Sequence, residues 1–290
     1  MEKKIAMRVS LVSIIVNLVL SLLKLAAGIA ASSGAMISDA VHSASDVFST
    51  FIVMIGVQIS SKQSDADHQY GHERMECVAS IVLAVVLCIT GLGIGYGGLK
   101  TIFGGNYETL VIPGRLALAA AVLSIVVKEW MFWYTRAAAR KINSGALMAD
   151  AWHHRSDSLS SIGALFGIFG SRLGYPVLDS AASVVISVFI VKAAYDIFKD
   201  AVDKMVDKAC DDETIQKMRQ MIASQDGVLG IDLLRTRLFG NKIYVDIEIA
   251  ADGTRTLNET HEVAESVHHK MERNFPDVKH CMVHVNPYRG

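Results

Sequence analysis

Cysteine is scarce in this chain of 290 residues. The four present, Cys77, Cys88, Cys210 and Cys281, are scattered with no C-x-x-C pair, which leaves neither a disulfide framework nor a thiolate metal site. Charge is scarce as well. Only 20% of residues are Asp, Glu, Lys or Arg, and the net charge is −1, so nothing points to nucleic acid. No clear cleavage site follows the opening MEKKIAMR, and the apolar run behind it is too long for the core of a secretory signal; the expectation is a retained first spanning helix. No nucleophile or oxyanion device accompanies the acid and imidazole groups, so the chain is not expected to be an enzyme.

Apolar residues make up 51% of the chain and mean hydropathy is +0.35, values that fit a protein part membrane and part soluble. A spanning helix needs roughly 20 mostly apolar residues. Six stretches qualify, at about 9–31, 35–60, 77–102, 113–135, 146–171 and 177–198. They predict a six-helix transmembrane domain over residues 1–205 and one small soluble domain over 206–290. Lys and Arg mark the cytoplasmic side of short loops. Lys3, Lys4, Arg8, Lys62, Arg74, Arg136, Arg140 and Lys141 lie on one side, against Lys100, Arg115 and Arg172 on the other. Both termini and the tail are therefore expected in the cytoplasm, in a multi-pass protein of a bacterial plasma membrane.

The tail alternates in type. Residues 212–224 read as a helix capped by Asp211 or Asp212. Residues 230–239 and 242–250 read as strands joined by Gly240-Asn241, a hairpin signal. Residues 257–275 read as a charged amphipathic helix stopped by Pro276, and 279–286 as a strand ended by Pro287. The order α-β-β-α-β predicts a small α+β sandwich with its helices on one sheet face.

One pattern is written twice, as SDAVHSASDVFST at 38–50 and ADAWHHRSDSLSS at 149–161. Both contain D-A-x-H-x-x-S-D inside an apolar stretch, where acid and imidazole groups are expensive and rarely idle. H-x-x-x-D sets both groups on one helix face, one turn apart. His42 and Asp46 facing His153 and Asp157 would offer two imidazoles and two carboxylates to one divalent cation, a tetrahedral set suited to Zn²⁺. The bland alternative is that these groups only hydrogen-bond between helices. Asp39 and Asp150, one turn before each His, would orient the other ring nitrogen or face a water-filled vestibule.

Further constellations are looser. Asp65, His68 and His72 in the loop SDADHQYGHERME have the spacing D-x-x-H-x-x-x-H and form a candidate second metal site at the cytoplasmic mouth, or a solvated polar loop. Arg74 and Asp207 are placed to pair between the two domains. In the tail, Asp232, Glu248, His261 and His284, with Asn286 and His280 nearby, have no tight spacing and read on their own as surface polar residues. Gly91/Gly95 and Gly93/Gly97 are small-x-x-x-small steps that permit close helix approach, within one subunit or between two. Lys128 and Glu129 sit late in the fourth apolar stretch, where they snorkel or pair structurally.

These features resemble the cation diffusion facilitator family of divalent-metal/proton antiporters along essentially the whole chain. The paired motifs, the D-x-x-H-x-x-x-H loop, the R-T-R strand at Arg235–Arg237 and the ending VHVNP carry the resemblance. It implies a transport site at His42, Asp46, His153 and Asp157 and a mouth site at Asp65, His68 and His72. It further implies a copper-chaperone-like cytosolic tail that dimerises, with metal ligands at Asp232, Glu248, His261 and His284. Several family members carry His where Asp232 and Glu248 stand, and Asp where Asn286 stands.

The implied partners are divalent metal ions, protons, the lipid bilayer and a second copy of the chain, with no nucleic acid and no organic cofactor. Zn²⁺ is the expected substrate and an expected structural or regulatory ion. Export of Mn²⁺ or Fe²⁺ through the same residues is the nearest alternative, and a membrane metal sensor without flux is the second.

Overall fold

In the computed structural model, residues 2–30, 34–104, 115–172 and 177–288 are described; the side chains of 34–42, of 163–172 and of some neighbouring positions lie outside that description. The chain divides into two compact units, Met1–Val202 and Asp203–Gly290.

The first unit is built from six helices: α1 (Glu2–Ala30), α2 (Gly34–Ser60), α3 (Met75–Gly104), α4 (Arg115–Lys141), α5 (Gly145–Arg172) and α6 (Val177–Met205). Each is 27 to 30 residues long. At 1.5 Å per residue that is at least ~40 Å, longer than the ~30 Å hydrocarbon core of a bilayer. Several helices therefore outrun the apolar stretches that announce them. Helix α4 reaches Lys141, where apolar composition predicts an end near 135, because backbone hydrogen bonding continues once the side chains turn polar. By composition alone, α1 and α3 are the described helices apolar enough to cross a membrane; α2, α4 and α5 carry charged groups at mid-length.

Asp46, Lys128 and Asp157 among them are buried. On α1, Ser10, Ser13, Asn17, Ser21 and Lys24 recur at three- and four-residue steps and are all buried, while Leu11, Ile15, Leu18 and Leu22 are about half exposed. This is amphipathicity turned inside out, as expected where lipid is the outer solvent and buried polar groups find partners across helices. A small-residue core (Ala6, Val9, Val53, Val57, Ala79, Leu83, Ala146, Leu147) ties α1, α2, α3 and α5 together. Gly91 and Gly95 let α3 close on α6: a Cβ at Gly95 would stand 2.6 Å from Ser187 Oγ, and one at Gly91 would stand 2.9 Å from Ile190. A Cβ at Gly93 or Gly97 would meet nothing within 4 Å. One glycine step is thus used inside the subunit.

The second unit holds α7 (Asp212–Ala223), β1 (Gly230–Phe239), β2 (Lys242–Ala251), α8 (Leu257–Asn274) and β3 (Val278–Pro287). Asp211 caps α7 through the Thr214 N–H, and Thr256 and Glu259 form a reciprocal capping box on α8. Gly240 takes φ 64° in the two-residue loop between Phe239 and Lys242, a conformation open to glycine. The sheet order is β1-β2-β3, with β1 and β2 antiparallel and β2 and β3 parallel across the α8 crossover. Val245, Ile247 and Ile249 alternate onto the core with Met218, Ile222, Val263, Val267 and Met271. Period two sends Glu248 to the other face. Burial pushes the Cys281 thiol up to about 12, so it stays a thiol at neutral pH.

Candidate metal centre

Three of the four residues expected at the membrane centre come together. One ligand atom each from Asp46 on α2 and from His153 and Asp157 on α5 lie within 4.8 Å of one another. All three are buried, at 2%, 6% and 8% exposure. His153 Nε2 stands 3.4 Å from Asp46 Oδ1 and makes no hydrogen bond among the described residues. His42 precedes Asp46 by one turn of α2; its side chain and that of Asp39 lie outside the described residues.

Lys128 completes the cluster. Its Nζ donates to Asp46 Oδ2 at 2.5 Å and to Asp157 Oδ2 at 3.0 Å. Of the two expectations for Lys128, pairing is what the structure shows, while its place near a helix end, from which it could snorkel, is corrected. Lys128 lies 13 residues from either end of α4 (128 − 115 and 141 − 128), some 20 Å from each, beyond the reach of its stem. Its side chain is 3% exposed. Glu129, next in sequence, points elsewhere and pairs with Arg155 at 3.5 Å and with the Trp133 indole at 3.1 Å.

A second buried polar group lies along α1, α2 and α5. Ser13 Oγ is 2.8 Å from His154 Nε2, His154 Nε2 is 3.5 Å from Asp150 Oδ2, and Thr50 donates to Asp150 Oδ1 at 3.3 Å. Asp150 thus lies against His154 rather than His153. Both are fully buried, as is Asn17, whose amide atoms have no hydrogen-bond partner among the described residues. Sequence reasoning missed Lys128 as a member of the site, and with it His154 and Asn17. The available signal was an ionisable or amide group in mid-span, and for Asn17 the polar stripe of α1.

At the mouth, Asp65, His68 and His72 also bring their ligand atoms within 4.8 Å. Asp65 Oδ1 accepts from the His68 backbone N–H at 2.8 Å and lies 3.2 Å from His68 Nδ1; Asp65 Oδ2 lies 3.5 Å from His72 Nε2. The Lys62 ammonium, 2.8 Å from Oδ2, and then the His68 N–H hold the Asp65 carboxyl well below the usual carboxylate range. His72 is 8% exposed and its Nδ1 has no hydrogen-bond partner.

In the tail, strand register does what sequence spacing does not reveal. Glu248 pairs with His284 across β2 and β3 and with Leu233 across β1, and the bulge between Ile231 and Leu233 carries Asp232. The Asn286 amide nitrogen donates to Asp232 at 2.9 Å and to Glu248 at 3.3 Å, and its oxygen lies 3.1 Å from His284 Nε2. An amide thus sits between the two carboxylates. His261 is set apart: its imidazole lies 3.9 Å from Glu265 and borders a cavity of about 440 Å³ with His284 and Asn286. Asp207, the expected partner of Arg74, has Arg237 of its own unit 4.0 Å away.

A helical bundle with acid and imidazole groups at mid-span, followed by this small sheet domain, defines a membrane cation carrier. Residues 10–206 match the family described as cation efflux transmembrane domain, and residues 210–288 the one described as cation efflux protein, cytoplasmic domain. The chain belongs to this cation efflux family, the cation diffusion facilitators. Metal tolerance protein C1 of Arabidopsis thaliana is 34% identical over 280 residues, covering 92% of this chain and 59% of that protein. The manganese efflux system protein MneP of Bacillus subtilis is 31% identical over 294 residues, covering 99% of this chain and 98% of its own length. A solved MamM C-terminal domain (215–293) is 25% identical over 26% of this chain and 98% of its own, with a TM-score of 0.25. Cation efflux across a membrane is the role that the family gives this chain.

Proposed function

We propose that the chain is a divalent-cation/proton antiporter that exports cytosolic Zn²⁺, with Asp46, His153 and Asp157, joined by His42, as the transport site. The observation that carries this reading is the gathering of two carboxylates and an imidazole, all buried, at the midpoints of two helices. Metal binding needs the imidazole neutral and the carboxylates ionised, so cation and protons compete for the same atoms. Open to the cytosol, the site sheds protons and takes metal. Open outward, protons displace the metal and travel back. Helices rocking about a site near the bilayer midplane suit this exchange.

Asp65, His68 and His72 form an entry site at the cytoplasmic mouth in this reading. The Lys and Arg tally places both termini in the cytosol. The match of residues 210–288 to a family of cytoplasmic domains supports a tail on the same side, working in a homodimer. The donor set favours Zn²⁺, because imidazole suits zinc better than it suits manganese. Manganese is the second reading, favoured by the likeness to MneP over nearly the full length of both chains.

The test is flux into proteoliposomes with an imposed pH gradient, a pH dye inside, and Zn²⁺, Mn²⁺ and Fe²⁺ offered separately. Zn²⁺ uptake with opposite proton movement is the expected result. Mn²⁺ flux alone would replace the metal. Absence of all flux from a folded, inserted protein would end the transport reading.

A further inference from the structure

We infer that Lys128 is a tethered counter-cation for the transport site: its ammonium holds the carboxylates of Asp46 and Asp157 in the metal-free carrier and must leave them for metal to bind. The inference rests on the assignment of those carboxylates as transport ligands.

Lys128 reaches the site from α4, while the carboxylates come from α2 and α5. Its Nζ spans Oδ2 of both, at 2.5 and 3.0 Å. Zn²⁺ ligated by aspartate sits about 2.0–2.2 Å from oxygen, so an ion bound through those same two oxygens would need nearly the volume that the ammonium holds. A monovalent and a divalent cation cannot share the same two oxygens in a dry interior. The charge balance then runs in one direction. Two carboxylates and one ammonium sum to −1, two carboxylates and one divalent ion sum to zero, and all four together sum to +1. The metal-bound site of low charge is the one in which the ammonium has let go of both oxygens, and a flexible four-carbon stem allows it to swing off them within the bundle.

Two consequences follow for transport. The empty carrier never turns around with a bare pair of buried carboxylates, which would be costly without a partner. The returning ammonium also helps expel the metal, so Lys128 trades affinity for turnover. Lys128 is thus a positioning residue that touches the ligands in place of the substrate. A simple ion-pair staple between helices would behave differently, because its removal would lower stability with no gain in metal binding.

The experiment uses the full-length protein in nanodiscs, with Zn²⁺ and Mn²⁺ as separate probes. Binding is read as the component that disappears in Asp157→Asn, and flux is read in proteoliposomes. Lys128→Met is expected to bind at least about tenfold more tightly, with KM and kcat both falling. Lys128→Arg, whose planar fork grips carboxylates more firmly, is expected to bind several-fold more weakly than the wild type. Equal or weaker binding by a folded Lys128→Met protein overturns the inference. If that variant does not fold, Lys128→Arg decides, and binding as tight as the wild type or tighter overturns it. An Asp157→Asn protein that keeps all its metal binding removes the transport-site assignment, and the Lys128 inference with it. Loss of binding in Asp157→Asn beside unchanged affinity in Lys128→Met removes the Lys128 inference alone.

Discussion

Among the described residues, two clusters of histidine and aspartate each bring their ligand atoms within 4.8 Å, and each is attended by a lysine. In the loop after α2, Lys62 holds Asp65; at mid-helix, Lys128 holds Asp46 and Asp157. The chemistry is nearly the same and the surroundings are opposite. Lys62 is 62% exposed, whereas Lys128 is 3% exposed. Water and salt screen the first pair, so releasing it takes little and an arriving cation meets little resistance. The second has no solvent to fall back on, and each change of partner is a change of buried charge. The same side-chain types thus make a solvent-screened, loosely held cluster in one place and a buried, tightly held one in the other.

The largest test of that contrast is Asp157→Ala, which should reduce proteoliposome flux to that of protein-free vesicles while leaving metal binding at the mouth in place. Flux above that background would break the contrast by removing the buried cluster from the pathway. His72→Ala should come next. It should lower mouth affinity at least about tenfold and raise the KM for metal, yet leave the saturated rate near that of the wild type; a fall in the saturated rate instead would make the mouth part of the exchange point. Lys62→Ala should raise mouth affinity by no more than about fivefold, and the gain should shrink as salt is added. Titration calorimetry at two ionic strengths measures it, and a salt-independent gain would mean that Lys62 is as tightly held as Lys128.

The smallest effect concerns pH. Asp65 is held below its ordinary value, so its stabilising contacts are fully present above the unfolded value near ~3.9 and are lost only as pH falls through the lower folded value. Protection of the His68 amide against hydrogen exchange, corrected for intrinsic rates, should therefore persist from pH 7 to 5. Loss of protection within that window would contradict the Lys62–Asp65 geometry.

Much of this arrangement is legible in the sequence, and the gaps have physical causes. The tail's elements match their predicted bounds to within a residue or so, because Asp211, the Gly240-Asn241 turn, Thr256 with Glu259, and Pro287 punctuate the chain with local chemistry. The two membrane motifs are visible because each repeats at helical spacing. Lys128 escapes notice because it has no partner in its own helix; its meaning lies in α2 and α5, and an underestimated helix end moves it from mid-span to the rim. His154 hides beside His153, where about 100° of helix rotation separates a carboxylate pair from a serine. The tail cluster depends on strand register and on the bulge at Asp232, which no spacing announces. Asn286 stands out in the sequence only as a neighbour of the cluster; that its amide lies at the centre follows from the strand register.

Asn286 also has a chemical lifetime. Asparagine side chains age when the next residue's backbone nitrogen attacks the amide and ejects ammonia, turning the amide into an acid. Here the next residue is Pro287, whose ring nitrogen carries no hydrogen and cannot complete that attack. The amide between Asp232 and Glu248 is thereby kept from drifting into a third carboxylate, and the character of the tail stays constant over the working life of the protein.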